Sequence, residues 1–83
     1  MSRKKNLGLG KVKKIVATVF EIEEINVDLA MSPANVENWD SFGQLLLVET
    51  IEREFNITLS MEEVFSVITV QDICDILERK NII

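Results

Sequence analysis

The sequence predicts an all-α fold, a four-helix bundle of three longer helices and one short one, with a long loop between the first and second helices. Three observations favour this fold class. Of the 83 residues, 47% are hydrophobic but only 6% are aromatic. The chain contains only three Gly and one Pro, too few for the turns of a β structure. Apolar residues also recur at helical spacing in separate segments.

A chain of 83 residues forms one domain. We expect this domain to span residues 10–83, after a flexible basic N-terminus of residues 1–9. Residues 10–24 are predicted to form the first helix, because their apolar residues share one arc of a helical wheel. These residues are Val12, Ile15, Val16, Val19, Phe20 and Ile22.

Residues 26–40 lose this periodicity and are predicted to form the long loop. A connection of this length is unusual in so small a domain and often marks function. The loop contains apolar residues that should hold it against the helices. They are Val27, Leu29, Met31, Val36 and Trp39.

The second helix is predicted over residues 41–55, with its end near Asn56. Ser60 and Thr69 each have an acidic residue three positions later, which is the spacing of a capping box. They are therefore predicted to start the short third helix and the fourth helix. The apolar arc of the fourth helix includes Cys74, which we expect to be a buried core residue instead of a reactive thiol.

A helical wheel of the second helix separates a core arc from an outer arc. The core arc is predicted to contain Leu45, Leu47, Val48, Ile51 and Phe55. The outer arc carries an apolar stripe with one charge of each sign, formed by Phe42, Leu46, Glu49 and Arg53. Single hydrophobic residues are common on ordinary surfaces. We nevertheless interpret this stripe as a docking surface, because Phe42 and Leu46 lie within two turns of Ser41.

The composition argues against several classes of function. The chain has no histidine and one cysteine, so it can form neither an internal disulfide nor a zinc site with the usual ligands. Acid–base catalysis would depend on scattered carboxylates, which makes an enzyme the weakest hypothesis. No apolar run is long enough for a signal peptide or a membrane span. We therefore expect a cytoplasmic monomer that holds no metal and does not insert into membranes.

The charge distribution is asymmetric. The net charge is −5, but six of the nine basic residues precede residue 15, and all 14 acidic residues follow it. An acidic body repels nucleic acid and attracts proteins with basic patches. We expect protein partners with basic docking patches and no nucleic acid. The basic start is either an arm for nucleic acid or lipid, or a solvated terminus, and we favour the terminus.

Ser41 follows Asp40 at the predicted start of the second helix, where either residue is a natural N-cap. Ser41 and Gln44 also have the spacing of a capping box. A nucleophilic serine would need a base, and the chain has no histidine. The local pattern therefore favours a cap over a catalytic residue.

Several segments together resemble the acyl carrier protein family, over about residues 10–80. The segment "DSF" at residues 40–42 opens an amphipathic helix that ends in "IEREF", and "VITVQDI" follows downstream. In this family, an Asp-Ser-Leu motif at a helix start presents the serine that receives 4′-phosphopantetheine. The resemblance implies that Ser41 is the attachment residue, with Asp40 as its motif neighbour. It also implies that the chain is a carrier and not an enzyme.

The resemblance further implies a set of partners and a cargo. A phosphopantetheinyl transferase would move the group from coenzyme A onto Ser41. Acyl-loading and acyl-processing enzymes of fatty-acid, polyketide or related specialised biosynthesis would then use the thioester on its terminal thiol. Carriers of this family can shelter an acyl chain, and the side chains available for a lining are Phe20, Leu45, Val48, Met61, Val64, Phe65 and Ile68. A filled core is the default for the unloaded chain.

Four residues depart from the family pattern. Phe42 replaces the leucine of the motif, and Gly43 and Leu46 occupy positions that are often acidic. Arg53 interrupts the acidic pair that usually precedes Glu-Phe. More apolar surface and fewer carboxylates favour a dedicated set of partners. Two alternatives stay open, an aminoacyl or peptidyl carrier protein and an unmodified helical interaction module that binds through Phe42 and Leu46.

Overall fold

The computed structural model describes the backbone of residues 2–83 and the side chains of residues 8–83. Within this part of the chain there are four α-helices, a 3-10 turn after the first of them, and no strand. The helices are α1 (Ser2–Phe20), α2 (Ser41–Phe55), α3 (Met61–Ser66) and α4 (Val70–Arg79), and the 3-10 turn is Glu24–Asn26. The all-α class, with three longer helices, one short one and a long loop between α1 and α2, is confirmed.

The first helix differs most from its predicted range. It begins at Ser2 instead of residue 10, and it ends at Phe20 instead of residue 24. The flexibility predicted for the basic start and the domain boundary at residue 10 stay predictions, because the side chains of residues 1–7 lie outside the described part of the chain.

Three helices end at a residue in the left-handed conformation. Glu21, Asn56 and Asn81 follow α1, α2 and α4 with φ of 57°, 55° and 61°. In each case the next residue donates its N–H to the carbonyl five positions back, the Schellman arrangement that satisfies a helix terminus. Asparagine tolerates this conformation well, so the end of α2 was predictable. Glutamate adopts it less readily, so nothing local marked the end of α1.

Both predicted capping boxes are confirmed. The Ser60 hydroxyl accepts a hydrogen bond from the Glu63 N–H at 3.1 Å, and the Glu63 carboxylate accepts one from the Ser60 N–H at 2.8 Å. The bond from the Ser60 N–H lowers the pKa of Glu63. Burial raises the pKa of Asp72, but hydrogen bonds from the N–H groups of Ile68 and Thr69 outweigh burial and lower it. Both carboxylates are therefore ionised at neutral pH, and both boxes weaken only as the pH falls through these lowered values.

The hydrophobic core is formed by α1, α2, α4 and residues of the long loop. The inward arc predicted for α4 is buried, including Cys74. Lys11 adds a polar link between α1 and the end of α2, because its Nζ donates to the Glu54 carbonyl at 2.8 Å and lies 4.9 Å from the centre of the Phe55 ring.

In the described part of the chain, no helix combines the length and apolarity needed to cross a bilayer.

The core arc predicted for α2 is correct for Leu47, Val48 and Ile51, which are buried. It is wrong for Leu45, which is 64% exposed. Two residues along a helix correspond to a rotation of about 200°, so Leu45 points almost opposite to the fully buried Leu47. The buried face is centred near Leu47, and the half-buried Phe55 lies at its edge.

The long loop packs against the helices, as predicted. Val27, Val36 and Trp39 are buried, and Leu29 and Met31 are partly buried. The carbonyls of Leu29 and Met31 accept hydrogen bonds from N–H groups in the first turn of α4, at 2.9 and 3.1 Å. The loop thereby satisfies donors that this turn cannot pair within the helix.

Candidate functional site

Ser41 is the first residue of α2, and it is exposed. Asp40 is the residue that caps this helix. Its carboxylate accepts a hydrogen bond from the Gly43 N–H at 2.9 Å, and its carbonyl accepts one from the Gln44 N–H at 2.8 Å. The Ser41 hydroxyl has no hydrogen-bond partner among the described residues, so the capping box that its spacing with Gln44 suggested does not form. This hydroxyl is available to solvent.

The turn before Ser41 is anchored by Trp39. This side chain is 2% exposed, and its ring stacks on Phe20 of α1 with ring centres 5.1 Å apart. The indole Nε1 donates to the side-chain oxygen of Gln44 at 2.6 Å. The exposed serine is thus supported by side chains whose positions are fixed by packing and hydrogen bonding.

The Gln44 side chain connects three segments around the site. Besides accepting the bond from Trp39, its amide nitrogen donates to the carbonyls of Val64 and Val67, at 3.1 and 3.2 Å. We call these three hydrogen bonds the Gln44 bridge. Val64 and Val67 lie 20 and 23 residues further along the chain, so periodicity could not reveal this role.

Gly43 permits a close approach between the turn before Ser41 and α2. A Cβ atom at this position would overlap the carbonyl oxygen of Asn38 and lie 3.1 Å from the Phe20 ring. The sequence-based interpretation of Gly43 as a lost acidic residue did not reveal this role. The available signal was a glycine inside a predicted helix, which is unfavourable unless packing requires it.

The start of α2 fits a covalently attached phosphate group. The N–H groups of Ser41 and Phe42 have no partner among the described residues, since Asp40 pairs with the two N–H groups that follow. Unpaired N–H groups and the helix dipole both favour negative charge at this end. An open groove beside Ser41, lined by Pro33, Trp39, Asp40 and Gln44, leaves room for an extended substituent.

The outer stripe predicted on α2 lies at the surface. Phe42 is 77% exposed and Leu46 is 41% exposed, and Glu49 and Arg53 are exposed as well. Leu45 adds a further apolar side chain to this side of the helix. Whether these residues dock partner enzymes stays a prediction.

Four side chains considered for an acyl lining are exposed instead: Leu45, Met61, Phe65 and Ile68. For Met61 and Phe65 the physical reason is that α3 has only six residues and buries none of them. Leu45 is exposed because the buried face of α2 is centred near Leu47. Phe20 and Val48 are buried, and Val64 is partly buried. We define the apolar face as the exposed large apolar residues of α2, α3 and the turn after α3, namely Phe42, Leu45, Leu46, Met61, Phe65 and Ile68.

The interior between α2 and α4 is filled, as expected for an unloaded chain. Its cavity has a volume of about 10 Å³, and the described residues that line it all have aliphatic side chains. This volume corresponds to roughly one water-sized probe. An acyl chain therefore has no room inside the core in this conformation.

Comparison with known proteins agrees with this geometry. Residues 10–77 match the protein family described as "Phosphopantetheine attachment site". Over 72 residues the chain is 35% identical to an acyl carrier protein of Thermosynechococcus vestitus. The matched segment covers 87% of this chain and 89% of that protein. Such proteins are carriers and not catalysts, and their prosthetic group is covalently attached 4′-phosphopantetheine. The chain therefore belongs to the acyl carrier protein family.

Proposed function

We propose that 4′-phosphopantetheine is attached to Ser41 and that the chain carries acyl groups as thioesters on this arm. The cargo passes between enzymes of fatty-acid, polyketide or related specialised biosynthesis. The observation that carries the proposal is the exposed Ser41 hydroxyl, unpaired among the described residues, at the first position of α2. This serine also lies within the segment that matches the phosphopantetheine family.

Neighbouring groups prepare the serine for modification without activating it. Asp40 fixes the start of α2 and directs its carboxylate to the Gly43 N–H. The N–H groups of Ser41 and Phe42 stabilise the negative charge of an attached phosphodiester. A phosphopantetheinyl transferase supplies the base that takes the Ser41 proton. The serine oxygen then bonds to the phosphopantetheine phosphorus of coenzyme A, the pyrophosphate bond breaks, and adenosine 3′,5′-bisphosphate leaves. A chain without histidine can therefore serve as the substrate.

Partner enzymes approach Ser41 across the apolar face. Phe42 and Leu46 provide apolar anchors, while Glu49 and Arg53 set the register of docking. Because these two charges cancel, local electrostatic attraction is small, and the acidic remainder of the chain attracts basic patches at longer range. In this proposal the chain acts as a cytoplasmic monomer with its transferase and its acyl-loading and acyl-processing enzymes.

The attachment proposal is tested by incubating the protein with a permissive phosphopantetheinyl transferase and coenzyme A, followed by intact-mass measurement. We expect the mass of one phosphopantetheine to be added to the wild-type protein and none to Ser41→Ala. Circular dichroism of Ser41→Ala should be unchanged, because Asp40 supplies the cap. No mass gain with several transferases would favour the unmodified interaction module, and identification of the thioester on protein from its host would separate acyl from aminoacyl cargo.

Docking is tested with Phe42→Ala and Leu46→Glu. Both side chains are exposed, so each change should alter the free energy of unfolding by no more than about 0.5 kcal/mol. Acyl transfer to cognate enzymes should slow by about tenfold, as expected when an anchor contact is lost. Ile25→Ala is the matched control, since Ile25 is exposed but lies outside the apolar face. A loss of several kcal/mol in stability, or equal transfer rates in all variants, would contradict the assignment.

A further inference from the structure

Gln44 lies between a surface groove and an internal cavity. On one side it lines the open groove beside Ser41. On the other side lies the aliphatic cavity, which is lined by its hydrogen-bond partner Val67 and by Val48, one turn further along α2. A chain that begins at Ser41 and runs from this groove toward the cavity therefore meets the Gln44 bridge.

The α3 segment has few attachments to the rest of the fold. It buries no residue, and Met61 and Phe65 point to solvent. Glu63 of α3 forms an ion pair with Lys80 at 3.2 Å. This pair is partly exposed to solvent, and such pairs contribute little to the free energy of folding. The Gln44 bridge contributes two hydrogen bonds at the other end of α3. Before α3, the Leu59 N–H donates to the Glu52 carboxylate of α2 at 2.8 Å. The Gln44 bridge is the polar attachment that ties α3 itself, and the turn after it, to α2.

We propose that the Gln44 bridge keeps α3 closed over the aliphatic cavity and thereby determines whether an acyl chain attached at Ser41 enters the interior or stays on the apolar face. Gln44 is in this sense a specificity-determining residue for the cargo. The part concerning the acyl chain rests on the proposed function. The closure of α3 by Gln44 is a property of the unmodified chain and can be measured without any cargo.

The cavity selects apolar chains once α3 opens. Its lining, which includes Val48, Ile51, Val67 and Ile73, offers no polar side chain. A polar cargo would lose its hydrogen bonds to water without replacing them, so it stays outside. At about 10 Å³ the closed cavity cannot hold even a short chain. Entry therefore requires displacement of Val67, whose carbonyl is bound by Gln44.

Closure of α3 is tested by amide hydrogen exchange on the unmodified protein. Gln44→Met keeps the size of the side chain and removes all three hydrogen bonds of the bridge. Gln44→Glu can still accept the bond from Trp39 but loses both donors to α3. In both variants the amides of residues 64–67 should exchange about tenfold faster, as expected for the loss of two hydrogen bonds. Gln71→Met is the matched control, because Gln71 is exposed on α4 and, among the described residues, its side chain bonds only Asp75 of its own helix.

Cargo entry is tested by loading wild-type protein and Gln44→Met with octanoyl-coenzyme A through a permissive transferase. The methyl resonances of Val48 and Ile73 are then compared with those of protein that carries the unacylated arm. We expect shifts at least about twice as large in Gln44→Met as in the wild type, because the open state is more populated.

The outcomes separate this inference from the proposed function. Unchanged exchange at residues 64–67 in both Gln44 variants would overturn the closure of α3. Faster exchange in Gln44→Met alone would also overturn it, since the cause would then be the unpaired Trp39 indole. Equal methyl shifts after confirmed loading would overturn the specificity role. Failure to load would overturn the proposed function and the cargo part together, while the exchange result would still decide whether Gln44 holds α3 closed.

Discussion

Replacement of Gly43 by alanine is expected to destabilise the fold by about 3 kcal/mol, at the upper end of the range for overpacked sites. The added Cβ would overlap the carbonyl oxygen of Asn38, a backbone atom that cannot move aside by a rotamer change. The turn before Ser41 would have to shift away from α2, and the stacking of Trp39 on Phe20 would be disturbed with it. Urea unfolding followed by circular dichroism measures this change.

Gly10→Ala is the matched control. Gly10 also lies inside a helix, but a Cβ there would meet no atom of the described residues within 4 Å. Alanine at an exposed helical position stabilises by about 0.5–1 kcal/mol relative to glycine, so the two substitutions should have opposite signs. If Gly43→Ala were as stabilising as Gly10→Ala, the result would contradict the close approach of the loop to α2.

Leu47→Ala and Leu45→Ala are expected to differ strongly, although the chemical change is identical and the residues are two positions apart on α2. Leu47 is fully buried, and leucine-to-alanine changes in cores cost about 2–5 kcal/mol. Leu45 is 64% exposed, and surface changes usually stay within about 0.5 kcal/mol. In a domain of this size, each kcal/mol of lost stability lowers the melting temperature by roughly 4–8 °C. Thermal unfolding therefore separates the two variants clearly.

The same pair of variants decides between two placements of α2. The arc predicted from the sequence put both leucines in the core, whereas the structure turns Leu45 to the surface. Losses of similar size in the two variants would support the predicted arc and contradict the observed rotation of α2.

Features governed by local interactions could be predicted from the sequence. The starts of α3 and α4 follow from capping boxes at Ser60 and Thr69, and the end of α2 follows from Asn56. The end of α1 could not be predicted, because Glu21 adopts a left-handed conformation that its residue type does not favour. The next residue, Ile22, packs partly buried against the core, a contact that only the tertiary fold provides.

The position of the candidate site was predictable, whereas the contacts that support it were not. The position of Ser41 at a helix start followed from its local sequence, and the exposure of Phe42 and Leu46 followed from helical periodicity. The Gln44 bridge and the close approach at Gly43 could not be predicted, since both depend on partners that only the tertiary fold brings near. The exposure of Phe65 likewise depends on how little of α3 the core covers, and the exposure of Leu45 depends on how α2 is rotated against the core.

Localisation of the prosthetic group tests the central claim most directly. The protein is loaded by a permissive transferase, digested, and sequenced by tandem mass spectrometry, with phosphopantetheine read as a fixed mass on one residue. The account predicts that the group is found on Ser41 and on no other hydroxyl of the chain. Attachment to Ser32, Ser60 or Ser66, or a loaded Ser41→Ala variant, would contradict it.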